Sequence, residues 1–139
     1  MKLIAKITIA ASVFLGTTAF AQESEAIGKA QDAAKIWLAL VDSGEYAQSW
    51  EQSAKLFQAA VSKTKWESTI QSARSPFGTM KARTLMSAVY MQTLPGAPEG
   101  EYVVIQYDSQ FTKNAHTIET VTPMREKDGT WKVSGYFIK

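Results

Sequence analysis

The 139-residue chain contains no cysteine and a single histidine, His116. Without cysteine there is no disulfide framework and no thiolate metal ligand, so stability must come from packing. With one histidine, the remaining metal donors are dispersed carboxylates. No calcium-loop spacing gathers them, so neither a metal nor any other cofactor is expected. A serine nucleophile would have to use His116 as its base, and no Gly-x-Ser-x-Gly turn accompanies it. Glycine-rich phosphate loops and runs of like charge are also missing.

What is present begins with an export pattern. MKLIAK carries two lysines and no acid, an apolar stretch follows, and Ala19-Phe20-Ala21 places small residues where a signal peptidase reads. The apolar run is shorter than the roughly 20 residues a membrane span needs. Residues 1–21 are therefore expected to be a cleavable signal peptide, with Ala19 and Ala21 before the cut and Gln22 after it. The product is expected to be soluble in the periplasm or secreted, with no lipid anchor and no stable membrane insertion. Lys2 and Lys6 leave with the signal, so 15 basic residues fall to 13, equal to the 13 acidic ones. The mature chain is neutral, which removes the electrostatic case for a nucleic-acid partner.

From residue 22 onward the pattern predicts one domain in two halves. Apolar residues from Ala26 to Val41 keep helical spacing, and Asp42-Ser43-Gly44 marks the stop. A second helix is expected over 45–62, with Tyr46, Trp50 and Phe57 in its stripe. Thr64 and Glu67 have capping-box spacing for a third, ending at Pro76. From Lys81 the period changes to two, predicting strands over about 81–93, 101–111, 116–125 and 130–138. The expected fold class is α+β, with three helices packed on a four-stranded antiparallel meander.

Several segments carry a resemblance: Trp37-Leu38, Val41 to Tyr46 and Ser49-Trp50; Arg74 with Pro76-Phe77-Gly78; Leu94 to Tyr102; Glu119 to Pro123; and Trp131 to Tyr136. Together they resemble the bacterial exported family catalogued as domain of unknown function 4019, over nearly the whole mature chain. That resemblance implies no activity. Element order and the Tyr46/Trp50 pair are also similar to the cystatin-like and nuclear-transport-factor-2-like fold, which implies a sheet wrapped around a helix as a cone with an open pocket. The Gln-x-Val-x-Gly wedge of cystatin-type inhibitors is missing, so protease inhibition is not expected.

The expected function is a non-catalytic module that binds a small molecule or a periplasmic protein, its ligand-contacting residues being Tyr46, Trp50, Arg74 and Tyr107. Arg74 has a second reading, as a cation stabilised by the negative end of its own helix. The alternative is a pocket enzyme in which Asp108 or His116 works with Tyr136 in acid/base chemistry. Two hairpin registers are open, setting Asp108 opposite either His116 or Glu119. Glu119, alternating with Ile118, is expected on the outer face, and Asp108 and His116 are expected to be solvated at a hairpin end. A further alternative is a scaffold or dimerisation module acting through an exposed edge strand.

Overall fold

The structure is a computed structural model and describes residues 15–139. Helix α1 (Leu15–Asp42) starts earlier than the periodicity predicted, so the expected cleavage point after Ala21 falls inside it. Among the helix residues whose burial is described, 18–25 are all exposed and the buried face runs from Ala26 through Ala30, Ala34, Trp37, Leu38 and Val41. The helix ends as a Schellman motif: Gly44 takes a positive φ of 76°, and the Glu45 amide donates to the Leu40 carbonyl. Residues 1–14, which hold the basic start and most of the apolar run of the expected signal, lie outside the described residues. Among those described, no helix is long and apolar enough to cross a membrane.

The single helix expected over 45–62 is two, α2 (Tyr46–Glu51) and α3 (Lys55–Ala60). The break has a local cause. Ser53 turns its hydroxyl back to the Ser49 carbonyl, and the next amide, Ala54, leaves the helix to donate to the Val133 carbonyl at 2.8 Å. Helix α4 (Lys63–Arg74) is capped by Ser62, whose hydroxyl accepts from the Lys65 amide, and not by the Thr64/Glu67 box. A 3₁₀ turn over Ser75–Phe77 carries Pro76 and leads into the sheet.

Strands β1 (Met80–Met91), β2 (Tyr102–Phe111), β3 (Asn114–Arg125) and β4 (Trp131–Ile138) form an antiparallel meander in sequence order. The α+β class and the four-stranded meander are as expected, with four α-helices among the described residues where three were predicted. β1 is bulged between Leu85 and Ser87, which switches the strand's inward set from Arg83 and Leu85 to Ala88 and Tyr90. β3 shifts register at Thr122/Pro123 against β4, where proline has no amide to give the ladder.

The core lies between the helices and the inner sheet face. Trp37 is 5.7 Å from Trp66 and 5.3 Å from Tyr136, and Phe57 meets Trp66 edge-on at 4.9 Å. These rings fill the space that an open cone would leave as a pocket. Their polar ends are satisfied: Trp37 Nε1 donates to the Ser49 carbonyl and Ser53 Oγ, and Trp66 Nε1 to Ser49 Oγ. Trp37 and Trp66 are thus hydrogen-bonded core residues.

Candidate functional site

The most concentrated chemistry in the fold is an ionic cluster where the ends of α1 and α4 meet the sheet. Asp42 is the last residue of α1, Arg74 the last of α4, and Arg83 is brought inward on β1 before its bulge. Glu119 stands on β3 with Thr117 and Val121, facing the core. Arg83 donates from Nε to Glu119 Oε1 at 2.7 Å and from NH1 and NH2 to Asp42 at 3.0 and 3.1 Å. Arg74 NH2 donates to Asp42 Oδ1 at 2.7 Å, and its NH1 lies 3.8 Å from Glu119 Oε2. Ser109 and Tyr136 give their hydroxyl hydrogens to the two oxygens of Glu119.

Glu119 is 0% exposed, the reverse of its expected place on the outer face. Glu119 and Ile118 do alternate across the sheet, but it is the glutamate that faces the core, with Ile118 half-buried on the other side. A carboxylate buried this completely needs charged partners. Those partners arrive from Arg74 and Arg83, 45 and 36 residues away, which spacing along the chain does not reveal.

The quartet balances two positive charges against two negative ones, while Arg74 Nε and NH1 are buried without a hydrogen-bond partner. Burial opposes the charges on Arg74 and Arg83, yet their pKa values stand above the ordinary arginine range. A hydrogen bond to Asp42 and the charges of Asp42 and Glu119 raise the first; hydrogen bonds to Asp42 and Glu119 raise the second. Burial is the largest cause of the raised Tyr136 pKa, followed by the Glu119 charge. Tyr136 is therefore a neutral donor to Glu119 at physiological pH. The Arg74 guanidinium also lies 4.8 Å from the Phe111 ring centroid. It acts as an internal tie as well as a cation at a helix end.

Three of the four expected ligand residues gather around this cluster. Tyr46 and Arg74 line one cleft of about 270 Å³ beside Asp42, and Tyr107 lines a second of the same volume with Lys35, Leu38 and Arg83. Both are open grooves. Trp50 sits apart, its Nε1 donating to the Val61 carbonyl and Lys63 lying over its ring. The Tyr107 hydroxyl is buried without a hydrogen-bond partner, and burial raises its pKa.

The acid/base candidates do not assemble. Neither anticipated register holds: the hairpin turns at Thr112-Lys113, and a shift between Ser109 and Phe111 sets Asp108 opposite Ile118. Asp108 points to the outer face, since Tyr107 and Ser109 on either side of it are buried inward, whereas Tyr136 packs against Trp37 on the inner face. Asp108 and His116 approach to 3.6 Å, with side chains 41% and 80% exposed. His116 is exposed near the hairpin end as expected, Asp108 is half-buried with its Oδ1 covered and without a hydrogen-bond partner, and the sheet separates both from Tyr136. Among the described residues no group of three or more metal-ligating side chains converges.

Residues 33–136 match the family described as protein of unknown function (DUF4019). The chain belongs to that family. The match spans Asp42, Arg74, Arg83, Glu119 and Tyr136, so the whole ionic cluster lies within the DUF4019 region. It begins after the first turns of α1, where the segment expected to be cleaved also lies. No curated protein matches the chain.

Proposed function

We propose that this DUF4019 protein is an exported, non-catalytic interaction module whose binding surface is the free edge of β1 with the adjoining groove along α1. One observation carries this reading. Of the seven large hydrophobic side chains exposed among the described residues, four, Leu85, Met86, Val89 and Met91, lie on β1. β1 is an outer strand of the sheet, and its other in-strand charge besides Lys81, Arg83, is drawn into the ionic cluster. An edge with apolar side chains and little outward charge is a template for strand pairing. At the opposite edge the Ala54 amide already occupies the Val133 carbonyl.

Export is supported by where packing begins. Among the residues whose burial is described, 18–25 are exposed and Ala26 is the first buried one, so a cut after Ala21 falls within an exposed stretch. A small-ligand reading draws on the two grooves flanking Asp42, but the charges there are engaged with one another. Acid/base catalysis draws no support from a sheet that divides Asp108 and His116 from Tyr136.

Native mass spectrometry of the protein isolated from its own periplasm tests both parts. The expected result is a chain starting at Gln22 that carries a protein subunit, with association lost in Val89→Lys and kept in Phe137→Lys, an exposed position on β4. A bound small molecule that survives Val89→Lys would overturn the interaction reading, and an unprocessed chain would overturn export.

A further inference from the structure

The identity of the strand partner can be taken further, resting on the interaction reading above. We propose that β1 pairs antiparallel with β1 of a second copy of this chain, about a two-fold axis between Met86 and Ser87, joining two four-stranded sheets into one of eight strands.

The register follows from the bulge. Residues directly opposed in a ladder must point to the same face. On β1 the inward residues are Arg83 and Leu85 before the bulge and Ala88 and Tyr90 after it, as their opposition to buried Ser109, Tyr107, Ile105 and Val103 shows. Antiparallel self-pairing with Leu85 opposite the second copy's Ala88 satisfies that rule at every step. Arg83 then meets Tyr90 on the inner face, and Thr84 meets Val89 on the outer. The two segments with unbroken register, 82–85 and 88–91, face each other, and both bulges fall together at the axis. A two-fold contact of this kind is self-complementary by construction.

Charge supports the antiparallel sense. Lys81 lies at the Met80 end of β1, and Lys35 lines the groove beside Arg83. At the Met91 end, Glu23 and Glu101 line a small cleft with Tyr90 and Gln92, Glu101 also pairing with Arg125 at 2.9 Å and leaving Glu23, among the described residues, as the unpaired acid there. Antiparallel pairing places each basic end against the other copy's acidic end, whereas parallel pairing would stack like charges.

The absence of native cysteine gives a direct test on the full chain as processed by its host. In Thr84→Cys/Val89→Cys the two thiols of one chain are roughly 16 Å apart along the strand, too far for an internal disulfide, and each should oxidise with the other copy to give a covalent dimer. Thr84→Cys/Ala88→Cys points its thiols to opposite faces and should stay uncrosslinked. Sedimentation equilibrium should return twice the chain mass for the wild type and the single mass for Leu85→Lys, with unchanged circular dichroism; Leu85 is already 46% exposed. A wild-type dimer that persists in Leu85→Lys, or that crosslinks through the 84/88 pair instead, overturns the proposal. A monomeric wild type also overturns it. If that monomer still loses another protein partner through Val89→Lys, the interaction reading stands; if it has no β1-dependent partner, both fall.

Discussion

The Tyr136 hydroxyl donates to Glu119 Oε2 inside the fold, on the carboxylate whose other oxygen accepts from Arg83 and Ser109. Tyr136 is on β4, Glu119 on β3, Arg83 on β1 and Ser109 on β2, so this one carboxylate ties all four strands together. Arg74 and Asp42 extend the tie to the ends of α4 and α1. Its role is to fix how helices sit on sheet.

Removing the charge at the centre should therefore be costly. Glu119→Gln leaves Arg74 and Arg83 buried with only Asp42, and breaking a buried pair in this way costs about 3–5 kcal/mol. Urea unfolding followed by tryptophan fluorescence should show it. Glu119→Gln/Arg83→Met, which removes a charge of each sign, should lose less than the two single variants summed.

The pH dependence has a defined sign at the alkaline end. Burial holds the folded-state pKa of Tyr136 above its ordinary value near 10, and Tyr107 is shifted the same way by the same cause. The folded state then keeps a proton that the unfolded state releases, so this contribution is full below about pH 10 and is lost as pH rises further. Thermal unfolding followed from about pH 10 upward should show the fall, with a shallower slope in Tyr136→Phe.

Asp108→Asn and His116→Ala should each leave stability within about 0.5 kcal/mol of wild type, as surface changes do. The pair lies on the outer face, with side chains 41% and 80% exposed. A loss of several kcal/mol in chemical denaturation would show that this face is buried against something.

Removing residues 1–21 should leave unfolding by urea unchanged to within about 0.5 kcal/mol, because no residue from 18 to 25 is buried. Extending the deletion through Ala30 should destabilise, since Ala26 and Ala30 pack in the core.

Element order and sheet topology were legible because they rest on local period: Ala30, Ala34, Trp37 and Val41 show the helical spacing, and Val103, Ile105 and Tyr107 the alternation. The break at Ser53-Ala54 was not, because its cause is a carbonyl 79 residues away on Val133. The β2–β3 register escaped for a related reason, since a shift near Phe111 sets Asp108 opposite Ile118, between the two anticipated partners His116 and Glu119. Tyr46, Arg74 and Tyr107 line grooves on either side of Asp42, a residue that the sequence shows only as a helix stop. Burial of a charged residue is a tertiary property, and no periodicity distinguishes Glu119 from a solvated glutamate.

The hydrogen bond from Ala54 to Val133 closes a door on polymerisation. A sheet with two open edges can grow from either side without limit, as filaments do. Here the Ala54 amide sits on the far edge at the Val133 carbonyl and interrupts pairing along β4, so an association that consumes β1 favours a closed pair over continued growth.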